Sequence, residues 1–139
     1  MASFEIRDRN SGRLLARHIT AEEWEKPGLH FYSGDGDFLQ VGTWSYDAGK
    51  RLPGHAHNEV PRSIVRTHET LYVRRGRIEA RTFNDERELV ATREVSQGDL
   101  LTLMDGGHGY SILDDGTQVL EIKNGPYHGA ELDRVRFEA

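Results

Sequence analysis

The chain has 139 residues, of which 36% are hydrophobic and 29% charged, with a net charge of −5. This length predicts one domain, residues 1–139, with a core large enough to need no cross-links. There is no run of about 18 apolar residues and no apolar N-terminal segment, which excludes a membrane span or a signal peptide and predicts a cytoplasmic protein. The negative charge, with no basic stripe, argues against a nucleic-acid partner.

Short runs rich in β-branched, aromatic and aliphatic residues alternate with Gly, Asn and Asp turn signals along most of the chain. This spacing is typical of an all-β sandwich or barrel. The predicted strands cover residues 38–46, 70–75, 77–83, 89–95, 99–103 and 118–123. The Ser33-Gly34-Asp35-Gly36-Asp37 run lacks the later glutamate of a calcium loop, so it is interpreted as a hairpin turn.

Helix is predicted at one place only. Thr20 and Glu23 have the spacing of a capping box, and they open a short stretch at residues 21–25. Pro27-Gly28 ends this stretch almost at once, so we expect one short helical turn near the N-terminus. The polar tail from residue 129 is compatible with a closing strand, a short helix or a loose end.

The candidate chemistry lies in histidines and carboxylates, because the chain has seven histidines and no cysteine. Any metal ion must therefore be bound by nitrogen and oxygen. Two segments contain candidate ligands of this kind at defined distances from glycines. In the first, Gly49 precedes His55-Ala56-His57, and Glu69 lies before Gly76; in the second, Gly98 opens an apolar strand that leads through Gly106-Gly107 to His108.

These segments resemble the two sequence motifs of the cupin superfamily, over a conserved barrel core of about residues 38–125. The resemblance implies a cupin-type jelly-roll β-barrel or sandwich and one divalent transition metal ion, Mn, Fe, Ni or Zn, bound by His55, His57, Glu69 and His108. Strand alternation supports the set, since it places His55 and His57 on one side. It also places Glu69 with Leu71 and Val73, and His68 on the opposite face. Cupins commonly pair through N-terminal strands, so a homodimer is expected through residues 4–18.

Other residues are candidates for catalysis or substrate binding. Glu121 and Lys123 share one face of the last predicted strand and, with His68, are candidate acids or bases. Arg62 and Arg66 lie in the long insert between His57 and Glu69, where they could hold a carboxylate or phosphate. Tyr46 and Tyr110 are candidate pocket walls. A solvated surface or core position is the alternative for each of these residues.

The fold alone does not select a reaction, because cupins carry many activities. The leading hypothesis is a small enzyme that acts on a hydroxy-carbonyl compound, with the metal as Lewis acid, in an isomerase, epimerase or cyclase reaction. The first alternative is a mononuclear iron dioxygenase. The second is a non-catalytic cupin that binds a small ligand.

Overall fold

The computed structural model describes residues 3–137, and its regular structure is almost entirely β, which confirms the predicted all-β class. The strands are β1 (Ser3–Arg7), β2 (Leu14–Ile19), β3 (Gly28–Phe31), β4 (Gly42–Ser45), β5 (Glu69–Arg75), β6 (Arg77–Phe83), β7 (Leu89–Ser96), β8 (Leu100–Leu103), β9 (Gly107–Ile112) and β10 (Gln118–Lys123). Helix is limited to a 3₁₀ turn (Ala21–Glu25) and α1 (Ala130–Asp133). Neither of these described helices has the length and apolarity needed to cross a membrane.

Five strands form one antiparallel sheet in the order β1-β2-β8-β5-β10. In the pairing of β5 with β10, Leu71 lies opposite Glu121 and Glu69 opposite Lys123. Gly76 makes the tight turn from β5 into β6 with a φ of 80°, and a Cβ there would lie 2.3 Å from the Thr117 hydroxyl. Only glycine therefore fits this turn without strain.

A second sheet has three strands in the order β7-β6-β9, and it packs against the first. Alternate residues of each sheet point inward, because side chains on a strand alternate between faces. Buried residues of both sheets form one core cluster. Its members are Ile6, Ala16, Leu71, Val73, Ile78, Ala80, Val95, Leu101 and Leu103.

The 3₁₀ turn lies against the outer face of the five-stranded sheet, and the β3–β4 hairpin contacts this turn. The Trp24 indole donates to the Gly98 carbonyl (2.8 Å) and meets the ring of Tyr72 edge-on. The helical turn at residues 21–25 is thus confirmed, but the predicted capping box is wrong. The Thr20 hydroxyl has no hydrogen-bond partner, and the Glu23 carboxylate instead bonds Tyr32 and Lys26.

The sheets do not close into a barrel. Among the described residues, β9 pairs only with β6, and β10 pairs only with β5. Strands β9 and β10 therefore each have one unpaired edge. The prediction of a strand at residues 38–46 is correct only for β4, because Asp37 and Gln40 side chains instead hold residues 33–41 in a turn. The long segment after β4 is irregular, and every residue from 46 to 66 is exposed.

Candidate functional site

A cavity of about 1310 Å³ opens between β9, β10 and the C-terminal segment. Its walls carry side chains from both sheets, including Glu69, His108, Tyr110, Glu121 and Lys123. Pockets that combine apolar walls with a few convergent polar groups are the usual sites for small molecules. The core lies below this cavity, so the polar end of the sandwich is the candidate site.

Glu69 is the buried centre of the site. It begins β5 on the inward face, in register with Leu71 and Val73 as predicted, and is 6% exposed. Its Oε1 atom lies 2.9 Å from Nε2 of His108. The same oxygen accepts a hydrogen bond of 3.1 Å from the Tyr110 hydroxyl. A carboxylate from one sheet is thus bound by two groups of the other sheet.

The surroundings of Glu69 favour its charged form. Burial by itself would raise the pKa of this carboxyl group, but hydrogen bonds from His108 and Tyr110 and the adjacent imidazole outweigh burial and lower it. Burial and the neighbouring carboxylates raise the pKa of Tyr110, so its phenol stays protonated and donates. Glu69 is therefore an anion that already has an imidazole beside it.

Glu121 and Lys123 share the inward face of β10, next to Leu71 and Glu69 of β5. Both line the cavity, whereas Leu120 and Ile122 point outward and are about half exposed. The Glu121 carboxyl group lies within hydrogen-bonding reach of Glu69. The Lys123 ammonium lies 5.6 Å from the centre of the Tyr127 ring. The alternation predicted for this strand is thus present, with its charged face toward the cavity.

The structure does not bring His55 and His57 to Glu69 and His108. The two rings lie side by side, with centroids 5.1 Å apart, on the exposed irregular segment. Within residues 3–137, no three His, Asp or Glu side chains are grouped closely enough to hold a metal ion. The prediction of an extended strand around these histidines is wrong, because no described strand pairs with the segment.

His68 lies away from Glu69, on the outer face of the sheet as its position in the alternation predicts. It is 7% exposed, stacks on the Phe38 ring at 4.4 Å, and borders a separate cavity of about 270 Å³. Burial lowers the pKa of its imidazole. This placement does not put the candidate acid or base His68 in the cavity that contains Glu69.

The four candidate substrate residues have different environments. Tyr110 lines the cavity and contacts Glu69, and Arg66 borders both cavities while pairing with Asp105. Arg62 is exposed and donates to the Val60 carbonyl (3.2 Å), and Tyr46 packs edge-on against Trp44. Neither Arg62 nor Tyr46 borders either cavity.

The C-terminal segment is a cavity wall that the sequence does not predict. Phe137 meets the Phe83 ring edge-on at 5.1 Å and touches the backbone at Gly107, where an added Cβ would lie 2.7 Å from it. The Thr67 hydroxyl also donates to Asp133 in α1 (3.1 Å). In the sequence, this docking is signalled only by one aromatic residue, Phe137, in a charged tail.

Comparison with protein-family models, with curated proteins and with solved structures finds no match. Function is therefore inferred from the residues and geometry of this chain alone, above all from the contact between Glu69 and His108.

Proposed function

We propose that the chain is a cupin-like, metal-dependent enzyme that acts on a small hydroxy-carbonyl compound, with isomerase, epimerase or cyclase chemistry. Glu69 and His108 would bind one divalent transition metal ion, together with His55 and His57. The observation that carries this proposal is the 2.9 Å contact between the Glu69 carboxylate and the His108 imidazole at the cavity.

The donors at the cavity fit such an ion. A carboxylate and an imidazole are ligands that Zn, Fe, Mn and Ni share. Glu69 is ionised, which metal binding requires. Tyr110 bonds the same carboxylate oxygen, and such outer contacts orient metal ligands. Two of the four proposed ligands are therefore already in contact.

The other two ligands lie on a segment that has an available docking place. The free edge of β9 presents unpaired backbone groups, which favour the addition of another strand. The segment carries apolar side chains that are exposed here, among them Leu52, Val60 and Ile64. Addition of residues around 55–57 to this edge would bury such groups and bring both imidazoles beside the strand that carries His108.

The bound ion would supply Lewis-acid polarisation of a substrate carbonyl. The residues of the chain would provide the proton transfer. Glu121, on the cavity face of β10, would remove a proton from the carbon next to the carbonyl and return it to the neighbouring carbon or the opposite face, with the Lys123 ammonium beside it on the same face. Tyr110 would hold Glu69 in place.

Exchange of a carbon-bound hydrogen of the substrate with solvent deuterium tests this reaction class. Metal-loaded protein is incubated in D₂O with a panel of hydroxyaldehydes and hydroxyketones, and proton NMR follows the carbon-bound hydrogen. The proposal predicts exchange catalysed by the parent and lost in Glu69→Gln, with an Arg74→Gln surface control like the parent. Oxygen consumption with Fe(II) would instead identify a dioxygenase. Tight binding of a compound without exchange or oxygen consumption would identify a binding protein.

A homodimer is part of the same proposal. Strand β1 lies at the outer edge of the five-stranded sheet, with β2 as its only described sheet partner. Such an edge supports pairing with a second copy. Light scattering tests this, and a mass of 15.8 kDa, that of one chain, would contradict it.

A further inference from the structure

Basic side chains from three separate parts of the chain converge on the large cavity. Lys123 comes from β10, Arg87 from the turn between β6 and β7, and Arg134 and Arg136 from the C-terminal segment. The chain as a whole has a net charge of −5. The cavity lining therefore concentrates basic side chains in a chain that is acidic overall.

Carboxylates neutralise only some of the cavity cations. Asp105 binds both Arg13 and Arg66, Asp85 pairs with Arg13 at 2.8 Å, and Asp133 lies 3.9 Å from Arg134. Lys123 and Arg87 differ, because neither has a carboxylate within 4 Å among residues 3–137. Their nearest aromatic partners are the faces of Tyr127 and Phe137, at 5.6 and 5.4 Å.

Lys123 pairs with none of the carboxylates of residues 3–137, although two of them lie nearby. It lies directly opposite Glu69 in the β5–β10 register and shares a strand face with Glu121, yet its ammonium group turns toward Tyr127 instead of either carboxylate. Lys123 is also partly buried. A cation that is partly withdrawn from water and lacks a counter-ion is well placed to bind an anion.

The C-terminal segment contributes Arg134 and Arg136 to the lining of the cavity that also contains Lys123. Phe137 packs on Phe83 and against the backbone at Gly107, next to His108. This contact anchors the end of the segment at the rim of the cavity. Arg134 and Arg136 thereby line the same space as Lys123.

We infer that the cavity binds a small molecule that carries a carboxylate or phosphate group, with Lys123 as the main anion ligand and three further cations of the cavity lining, Arg87, Arg134 and Arg136, as additional positive charge. The inference rests on the proposed function, since it specifies the substrate class of the same site. The anionic group would lie at the basic end of the cavity, with the rest of the molecule directed toward Glu69 and His108.

The test uses glycerol 3-phosphate as the probe and glycerol as its uncharged counterpart, because the two differ only in the phosphate group. Isothermal titration calorimetry is run on the full chain, both metal-loaded and after chelator treatment. The variants are Lys123→Gln and Lys123→Arg, with Arg74→Gln as a control that removes an exposed arginine bonded to Gln118 outside the cavity.

We expect glycerol 3-phosphate, and not glycerol, to bind with a dissociation constant of about 1 mM at low salt. Lys123→Gln should weaken binding about tenfold, whereas Lys123→Arg and Arg74→Gln should bind like the parent. Binding should persist after chelation. Lack of binding up to about 20 mM, equal binding of glycerol, or an unchanged Lys123→Gln would each overturn the inference. A parent protein that binds glycerol 3-phosphate but retains no metal would contradict only the proposed function.

Discussion

His108 and Glu69 join the two sheets of the sandwich through a contact of 2.9 Å between imidazole Nε2 and carboxylate Oε1. His108 lies on β9 of the three-stranded sheet and Glu69 on β5 of the five-stranded sheet. The contact lies at the polar end of the core, where the cavity opens. It therefore links the packing of the fold to the chemistry of the candidate site.

Removal of the Tyr110 hydroxyl should raise the pKa of Glu69. Tyr110→Phe deletes a hydrogen bond of 3.1 Å to the carboxylate, and this bond helps to lower the pKa of Glu69. Folding stability at neutral pH should fall by about 1 kcal/mol, because a buried acceptor loses one donor. Carbon-detected NMR titration of the Glu69 carboxyl measures the change. An unchanged pKa would show that Tyr110 does not bond Glu69 in solution.

Truncation of a side chain in the central core should destabilise the folded protein. Leu101 has no exposed surface and packs between the two sheets. Leu101→Ala should lower the free energy of unfolding by about 3 kcal/mol, through lost burial and a residual cavity. Leu132→Ala is the matched control, since Leu132 is 84% exposed and should change stability little. Chemical denaturation measures both, and equal effects would contradict the packing described.

A second buried polar cluster holds the N-terminal strands to the rest of the fold. Arg93 Nε donates to His18 Nδ1 (2.7 Å), so the His18 ring has its proton on Nε2, which donates to Asp99 (2.8 Å). Asp99 also accepts bonds from the backbone amides of Ala21 and Ser96. Burial alone would raise the pKa of Asp99, but these hydrogen bonds outweigh it and hold the pKa below its usual range.

This lowered pKa predicts a loss of stability in acid. Because the folded state binds the Asp99 proton less tightly than the unfolded chain, the stabilisation is complete above the unfolded pKa. It is lost as the pH falls from about 4 through the folded pKa. Asp99→Asn should cost about 2 kcal/mol at pH 7 and progressively less in acid. Urea denaturation at several pH values measures this, with Asp85→Asn, in an exposed ion pair, as the control. A penalty independent of pH would contradict the assignment.

Five of the ten described strands could be predicted from local pattern to within one residue. Residues 77–83 and 118–123 are β6 and β10 with the predicted bounds, and the predicted strands 70–75, 89–95 and 99–103 agree with β5, β7 and β8 to within one residue. Alternation also placed Glu69 on the inward face, and it placed Glu121 and Lys123 together on one face of their strand. These segments are rich in β-branched and aliphatic residues, whose periodicity reports directly on burial.

Other parts depend on contacts that local pattern does not contain. The β9 strand includes Gly107 and Gly109, which have weak strand propensity, and it forms because β6 pairs with it. His55 and His57 alternate as a strand would, yet no strand partner fixes them. The docking of Phe137 depends on the bare backbone at Gly107, which only the folded structure brings near it.

Elemental analysis of the purified protein tests the central claim most directly. The parent, a His55→Ala/His57→Ala variant and a His30→Ala control are each reconstituted with Mn, Fe, Ni or Zn, desalted and measured by plasma mass spectrometry. His30 bonds the Pro27 carbonyl (2.8 Å) and lies outside the proposed ligand set.

The account predicts about one equivalent of a transition metal in the parent and in His30→Ala, and little in the double variant. Circular dichroism of the three proteins should agree, because residues 55 and 57 are exposed and contribute no core contact. A parent that retains no metal after reconstitution, or a double variant that retains as much as the parent, would contradict the account.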